Sequence, residues 1–273
     1  MREKKIKEAV RKGYGKIALG KKSSCCGPQV SSSCCGGGQA DRIGQKIGYN
    51  AEELASVPEG ANLGLGCGNP LALAELAPGD TVLDLGSGAG FDCFLAASRV
   101  GASGRVIGVD MTPEMIEKAR ANAARGGYSN VEFRLGEIDN LPVEDSSIDL
   151  VISNCVINLV PDKRKAFTEA CRVLKPGGKL MISDMVSKVS IPDFIRKSVE
   201  ACVGCLGAEM DEYLEDLRVA GFAEVEVIEE TPLSPEVLAP TVEAIIREEG
   251  GAEEELLKFA GSVRSIKVRG VKG

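Results

Sequence analysis

The chain has no histidine, no tryptophan and few aromatic residues, which make up 4% of its 273 positions. Without imidazole, the commonest acid–base side chain and zinc ligand of hydrolytic sites is missing. So few aromatic rings disfavour a stacking platform for nucleic-acid bases. No apolar run approaches the ~20 residues that a membrane span requires. These absences argue against hydrolytic zinc chemistry and against a nucleic-acid or membrane partner.

An excess of basic charge is also lacking. The 33 Lys and Arg residues are outnumbered by 40 Asp and Glu, a net charge of −7, so no dominant basic field attracts nucleic acid. The one basic cluster, over residues 2–22, is interpreted as a solvated helix face. Because no apolar signal segment opens the chain, we expect a cytoplasmic, monomeric protein whose thiols are mostly reduced.

What the chain does contain is ten cysteines. Thiolates without imidazole favour a soft, thiophilic atom. Four form the doublets Cys25-Cys26 and Cys34-Cys35 in a Gly/Ser-rich arm, and the others lie further along, at Cys67, Cys93, Cys155, Cys171, Cys202 and Cys205. Within helical stretches, Cys93 and Cys171 are expected to be core residues. The arm doublets together with Cys202 and Cys205 leave a structural zinc site open as an alternative.

Strand-length apolar runs alternate with helical stretches through the middle of the chain. Strands are predicted at 81–85, 105–109, 131–135, 148–153 and 179–184, with further ones at 225–228 and 262–268. Helices are predicted at 91–100, 113–124 and 163–173. This alternation indicates an α/β fold with a parallel, doubly wound, Rossmann-like sheet that carries helices on both faces.

Three parts are expected along the chain. Residues 1–48 form an N-terminal helix and a flexible cysteine-rich arm, and residues 49–187 form the Rossmann-like cofactor domain. Residues 188–273 form a smaller α+β accessory region. This last part is either a separate domain, which we favour, or a decoration of the sheet.

A glycine loop follows the first predicted strand, in the run Asp84-Leu-Gly86-Ser87-Gly88-Ala-Gly90. Glycine lets the backbone turn sharply and approach a ligand closely. An acid before G-x-G-x-G suits a ligand with an ammonium and a sulfonium better than a pyrophosphate. At the end of the second strand, Asp110 suits two ribose hydroxyls, and Met111 beside it offers a soft face to a purine.

This combination resembles the S-adenosylmethionine-dependent methyltransferases of the Rossmann-like class. The resemblance implies that Glu137 and Ile138, in the turn after the third strand, face the adenine. It also implies that Asn154, at the end of the fourth strand, borders the methyl donor. Cys155 follows directly and is expected within reach of the reactive methyl group, since open parallel sheets bind ligands at the carboxyl ends of their strands. Cys67, between two glycines, is expected to be exposed and mobile.

A narrower resemblance covers most of the chain, from Tyr49 to about Gly221. Residues 64–70 (GLGCGNP), 108–115 (GVDMTPEM) and 153–159 (SNCVINL) are similar to the arsenite methyltransferases that use S-adenosylmethionine. The resemblance implies that Cys67, Cys155 and Cys205 bind trivalent arsenic, with Cys202 as the alternative to Cys205, which would make residues 188–273 an arsenic-binding as well as an accessory region. It also implies that Cys34 or Cys35 assists the first methylation and a disulfide relay. A glutathione- or thioredoxin-type thiol would be the reductant.

The hypothesis is therefore methyl transfer from S-adenosylmethionine to trivalent arsenic held by cysteine thiolates, a detoxification reaction. Its substrates would be arsenite or its thiol conjugates, and methylarsenite. A lone pair on arsenic needs no general base, which agrees with the absence of histidine. Two alternatives remain: a methyltransferase of another small molecule with incidental cysteines, and a non-catalytic, thiol-based metalloid-binding protein.

Overall fold

A seven-stranded sheet forms the centre of the protein. The computed structural model describes residues 2–20, 38–197, 206, 208–233 and 253–273. The strands are β1 (Thr81–Leu85), β2 (Arg105–Asp110), β3 (Val131–Leu135), β4 (Ile148–Asn154), β5 (Leu174–Ser187), β6 (Phe222–Pro232) and β7 (Val263–Lys272). They are ordered β3-β2-β1-β4-β5-β7-β6. Neighbours among β1 to β5 run parallel, whereas β7 runs antiparallel to β5 and β6.

Helices cover both faces of this sheet, as predicted. Within the described residues they are α1 (Arg2–Ala18), α2 (Gly38–Lys46), α3 (Ala51–Ser56), α4 (Phe91–Val100), α5 (Pro113–Gly126), α6 (Lys163–Val173), α7 (Asp193–Lys197), α8 (Met210–Val219) and α9 (Glu253–Ser262). Alternate side chains of β1 point to opposite faces. Val82 packs with α4 and α5, whereas Leu83 and Leu85 belong to the cluster that contains α6 and α8.

The sheet differs from the prediction in β5 and β7. The fifth strand, predicted at 179–184, begins at Leu174, because it pairs with β4 both there and again from Lys179, with a register shift between. The residues between these two pairings therefore form a bulge within β5. The antiparallel β7 also makes the sheet mixed rather than wholly parallel.

The last third of the chain contributes to the same sheet. β7 pairs with β5 from Lys179↔Val271 to Ser187↔Val263, and β6 pairs with β7. The division into 1–48, 49–187 and 188–273 stays a prediction, and the strands beyond residue 188 are hydrogen-bonded to the sheet of the middle part. None of the described helices is long and apolar enough to cross a membrane.

A third apolar cluster lies beyond the carboxyl end of β4. It joins α1, through Ile6 and Val10, to Cys155, and includes Met185 and Phe259 from the C-terminal half. Segments distant in sequence thereby meet at the end of the sheet where open parallel sheets bind their ligands.

Candidate active site

A cleft of about 1120 Å³, part of it open to solvent, lies at the carboxyl ends of β1, β2 and β4. The predicted cofactor residues that line it are Asp84, Gly86, Ser87, Gly88, Asp110, Met111, Glu137, Ile138 and Asn154. Gly90 does not line it. This glycine precedes α4 with φ 94°, and a Cβ there would lie 2.7 Å from the Phe133 ring, so its role in this structure is close packing.

The glycine loop and Asp110 form one wall of the cleft. Gly88 N–H donates to Asp110 Oδ2 at 3.0 Å, and Thr112 N–H donates to Oδ1 at 2.8 Å. Each carboxylate oxygen keeps acceptor capacity for a ligand hydroxyl. The Ser87 hydroxyl is buried and has no hydrogen-bond partner among the described residues. At Gly86, a Cβ would lie 2.5 Å from Val156, so only glycine fits. A polyhydroxylated ligand suits this wall.

Two buried carboxyls, Asp84 and Asp92, lie at another part of the cleft. Asp92 accepts hydrogen bonds from the Tyr49 hydroxyl at 2.7 Å and from Asn154 Nδ2 at 3.2 Å. The Cys93 thiol donates to Asp84 Oδ2 at 3.2 Å. Burial, followed by the charge of Asp92, raises the pKa of Asp84 well above its usual range. Burial also raises the pKa of Asp92 to about 6. Buried carboxylates favour a ligand that brings a positive charge.

Helix α1 closes the cleft from the opposite side, a role that the sequence did not reveal. Lys7 Nζ lies 2.6 Å from Glu137 Oε2 and 2.8 Å from Asp139 Oδ2, and Arg11 lies 3.3 Å from Glu137 Oε1. Lys7 and Val10 line the cleft themselves. Glu137, predicted to face an adenine, therefore borders the cleft with its carboxylate held by α1.

The predicted thiols Cys67 and Cys155 lie together beside this cleft. Their Sγ atoms and a carboxylate oxygen of Asp184 all lie within 4.8 Å of one another. Cys155 follows β4 in the left-handed region, with φ 60°, a conformation that costs a non-glycine residue about 1–3 kcal/mol. Its N–H donates to Ser183 O at 2.7 Å. Because Cys155 also lines the cleft, the thiols adjoin the proposed cofactor site.

The loop that carries Cys67 is held tightly against the sheet. Cys67 N–H donates to Asn154 Oδ1 at 3.1 Å, and Asn154 Nδ2 donates to Gly68 O at 2.7 Å. On the other side, Ser265 Oγ donates to Cys67 O at 2.9 Å. A Cβ at Gly68 would lie 1.8 Å from Ser183 Oγ. The expectation of an exposed, mobile thiol was therefore wrong, since Cys67 is partly buried and its backbone is anchored.

The remaining predicted cysteines fall into two groups. Those that lie outside the described residues are Cys34, Cys35, Cys202 and Cys205, together with Cys25 and Cys26. Cys93 and Cys171 are buried, as predicted. Cys93 does more than pack, because its thiol donates to Asp84.

Asp184 is a site residue that the sequence analysis missed. It is fully buried near the carboxyl end of β5. Asn158 Nδ2 and Met185 N–H donate to its Oδ1 at 2.8 and 2.9 Å, and the Tyr213 hydroxyl donates to its Oδ2 at 3.1 Å. Burial raises its pKa to about 6. The rule that pointed to Asp110 would also have found it, because it lies toward the same end of a parallel strand.

Comparison with known proteins places this geometry in a family. Residues 76–232 match the methyltransferase domain family. The arsenite methyltransferase of Halobacterium salinarum is 51% identical over 81% of this chain. The crystal structure of an arsenic(III) S-adenosylmethionine methyltransferase from Chlamydomonas reinhardtii is 32% identical, with a TM-score of 0.60, and the match covers 84% of this chain and 72% of that one. The chain belongs to the arsenite methyltransferase family.

This family member spans about half the length of the curated relatives it matches, with 58% of the Halobacterium protein and 42% of the human arsenite methyltransferase covered. The human protein is 40% identical over 56% of this chain. A geranyl diphosphate C-methyltransferase from Streptomyces coelicolor aligns over 98% of both chains, with a TM-score of 0.63 and 18% identity. That likeness shows the class I methyltransferase fold alone.

Proposed function

We propose that this protein transfers methyl groups from S-adenosylmethionine to trivalent arsenic held by cysteine thiolates. The observation that carries the proposal is the position of Cys155. Its thiol lies within 4.8 Å of the Cys67 thiol, and the same residue lines the cleft formed by the glycine loop. A thiophilic atom held there would lie next to a ligand in the cleft.

The residues that would hold the cofactor follow from the walls of the cleft. The carboxyls of Asp84 and Asp92 suit its ammonium group, and Asp110 suits its ribose hydroxyls. The apolar side chains of Met111 and Ile138 suit its adenine. When bound, S-adenosylmethionine supplies the methyl group. Helix α1 lies across the cleft through Lys7 and would keep water out.

Arsenic would bind by exchange of hydroxyl groups for thiolates. In each exchange a thiol and an arsenic hydroxyl form an As–S bond and one water molecule, so no net proton is consumed. Cys67 and Cys155 supply two thiolates, and Cys205 is proposed as the third on the family resemblance. Arsenic keeps its lone pair as the nucleophile, so the protein contributes positioning and exclusion of water.

In each methyl transfer an As–C bond would form as the S–CH3 bond of the bound cofactor breaks and leaves S-adenosylhomocysteine, so arsenic passes formally from the trivalent to the pentavalent state. Two electrons from a pair of thiols return it to the trivalent state, and a disulfide forms. We propose Cys34 or Cys35 for this relay and a glutathione- or thioredoxin-type thiol as the final reductant. Methylarsenite, the product of one complete cycle, would then be a substrate for the next.

The test compares thiol variants in the full chain supplied with S-adenosylmethionine, arsenite and a thiol. We expect Cys67→Ser and Cys155→Ser each to lower methylarsenical formation by about 100-fold or more, because arsenic is misplaced relative to the cleft. Cofactor affinity, measured separately, should stay within about threefold. Cys171→Ala is the matched control, because Cys171 is a buried residue of α6 in the core cluster that also contains α8, and its turnover should be retained.

Each alternative predicts a different result. Turnover that survives in both serine variants would mean that the cysteines are incidental. Arsenite binding without any methylarsenical product would indicate a non-catalytic metalloid-binding protein.

A further inference from the structure

The thiol pair has a third donor that the proposed reaction does not use. Asp184 presents a carboxylate oxygen within 4.8 Å of both Cys67 Sγ and Cys155 Sγ. Asn158 Nδ2 and Met185 N–H donate to its Oδ1, the Tyr213 hydroxyl donates to its Oδ2, and the Asn158 backbone also contacts this carboxyl. A carboxylate oxygen has two acceptor positions. An oxygen of Asp184 therefore lies within reach of an ion held by the two thiols.

This carboxyl is buried without a cation in contact. Its hydrogen-bond donors are a side-chain amide, backbone N–H groups and a phenol, all of them neutral, and the charge of Lys163 acts on it without direct contact. Among the described residues, no lysine or arginine forms an ion pair with Asp184. Buried carboxylates are generally paired with a cation or coordinate a metal. A cation bound between the thiols and Asp184 would supply a direct positive partner.

We propose that Cys67, Cys155 and Asp184 form a binding site for a thiophilic divalent cation of the Zn²⁺ type, in competition with trivalent arsenic. The inference shares two thiols with the proposed function but does not require methyl transfer. On binding, both thiols release their protons to solvent and form two metal–sulfur bonds, and Asp184 adds one oxygen. A fourth position stays open for water, as in zinc sites with three protein ligands.

The geometry is close to that needed. Zinc binds thiolate sulfur at about 2.3 Å and carboxylate oxygen at about 2.0–2.2 Å, so tetrahedral donors lie about 3.5–3.8 Å apart. The observed limit of 4.8 Å requires the donors to approach by about 1 Å, which small side-chain rotations provide. Carboxylate oxygen is a hard ligand, and it suits Zn²⁺, which is intermediate between hard and soft cations, better than it suits soft trivalent arsenic. Asp184 should therefore contribute to zinc affinity but not to arsenical affinity.

The experiment uses the full chain with serine at the six cysteines outside the described residues, which are Cys25, Cys26, Cys34, Cys35, Cys202 and Cys205. Zn²⁺ is titrated against a chromophoric chelator without S-adenosylmethionine. We expect one Zn²⁺ per chain and an X-ray absorption first shell with two sulfurs at about 2.3 Å and lighter oxygen donors. Asp184→Asn should weaken Zn²⁺ binding by about tenfold or more. Asp216→Asn is the control, since Asp216 is buried and pairs with Arg164, and it should leave the affinity unchanged.

A second arm in the same background uses phenylarsine oxide, a trivalent arsenical that needs only two thiolates. Zn²⁺ and this arsenical should exclude each other, and Asp184→Asn should bind the arsenical as the parent does. Absence of a stoichiometric Zn²⁺ site, a first shell without two sulfurs, or equal Zn²⁺ affinity in Asp184→Asn and the parent would overturn the proposal. The X-ray absorption measurement uses no Asp184 variant, so it tests the proposed zinc ligands even if Asp184→Asn does not fold. None of these readouts depends on methyl transfer.

Discussion

At the scale of single residues, the site concentrates buried negative charge where a cationic cofactor would bind. Asp92 accepts hydrogen bonds from Tyr49 and Asn154 and interacts by charge with Asp84, and burial raises its pKa to about 6. A cation binds the ionised form of a carboxyl more tightly than the protonated form. The affinity for the cofactor should therefore depend on whether Asp92 is ionised.

We expect the affinity for S-adenosylmethionine to rise by about tenfold between pH 5 and pH 7, because Asp92 ionises in that window. Asp92→Asn should bind more weakly at pH 7 and show a smaller dependence on pH. Calorimetric titration at pH 5, 6 and 7 measures both. Asp145→Asn, at an exposed carboxyl away from the cleft, serves as control, and an identical pH profile in all three proteins would refute this role of Asp92.

A second prediction concerns Gly68, whose missing Cβ lets the Cys67 loop approach β5. Because an added Cβ would lie 1.8 Å from Ser183 Oγ, Gly68→Ala should displace Cys67 and weaken arsenite binding by about 100-fold. Cofactor binding should change little. Gly261→Ala, where a Cβ meets open space, is the control, and unchanged arsenite affinity in Gly68→Ala would show that the loop position does not matter.

The predicted cofactor residues that the structure brings together share one feature: they lie in the glycine loop or at the ends of strands. Asp110 and Asn154 end β2 and β4, and the topology of a parallel sheet brings such positions together. Lys7 could not be found in this way, since its partners Glu137 and Asp139 lie about 130 residues away. Such contacts depend on how distant segments pack.

At the scale of elements, α1 is the part most able to control access to the cleft. Its Lys7 pairs with Asp139, which is buried, and its Ile6 and Val10 belong to the apolar cluster around Cys155. Removing one partner of a buried ion pair leaves a desolvated charge, which is strongly unfavourable. The closed position of α1 should therefore depend on Lys7.

Lys7→Met should accelerate cofactor dissociation and raise the dissociation constant by about tenfold, because α1 loses its polar anchor. Lys12→Met changes an exposed lysine of the same helix and should behave like the unmodified chain. Stopped-flow displacement of bound S-adenosylmethionine gives the rate. If both variants release the cofactor at the same rate as the parent, α1 does not hold the cleft closed.

Helices and strands were predicted accurately where a short stretch of sequence marks them, and less accurately where long-range pairing sets them. β1 and β3 begin and end as predicted, because apolar or alternating runs bounded by polar residues and glycine mark them in the sequence. The start of β5 and its bulge were missed, since they arise from pairing with β4. The insertion of β7 between β5 and β6 is likewise set by long-range hydrogen bonds that no local pattern encodes.

At the scale of the whole molecule, the buried acids should make stability depend on pH. Asp84, Asp92 and Asp184 all have raised pKa values caused first by burial. Between the unfolded value near 4 and the folded values, the folded chain binds more protons than the unfolded chain. The free energy of unfolding therefore falls as pH rises through this window.

We expect the ligand-free protein to be more stable toward urea at pH 5 than at pH 7.5. Asp184→Asn should remove on the order of 1 kcal/mol of this difference, because one titrating group is lost. Urea unfolding of both proteins at the two pH values measures the change. A parent stability that is equal or greater at pH 7.5 would contradict the assignment of these carboxyls as buried and uncompensated.

The central claim is that arsenic held by Cys67 and Cys155 accepts the methyl group of a cofactor bound in the adjoining cleft. The most direct measurement supplies the full chain with S-adenosylmethionine labelled in its methyl group, arsenite and a thiol, and follows the label. We expect labelled methylarsenicals from the parent chain and almost none from Cys155→Ser, although both bind the cofactor. No labelled methylarsenical from a parent chain that binds both cofactor and arsenite would contradict it.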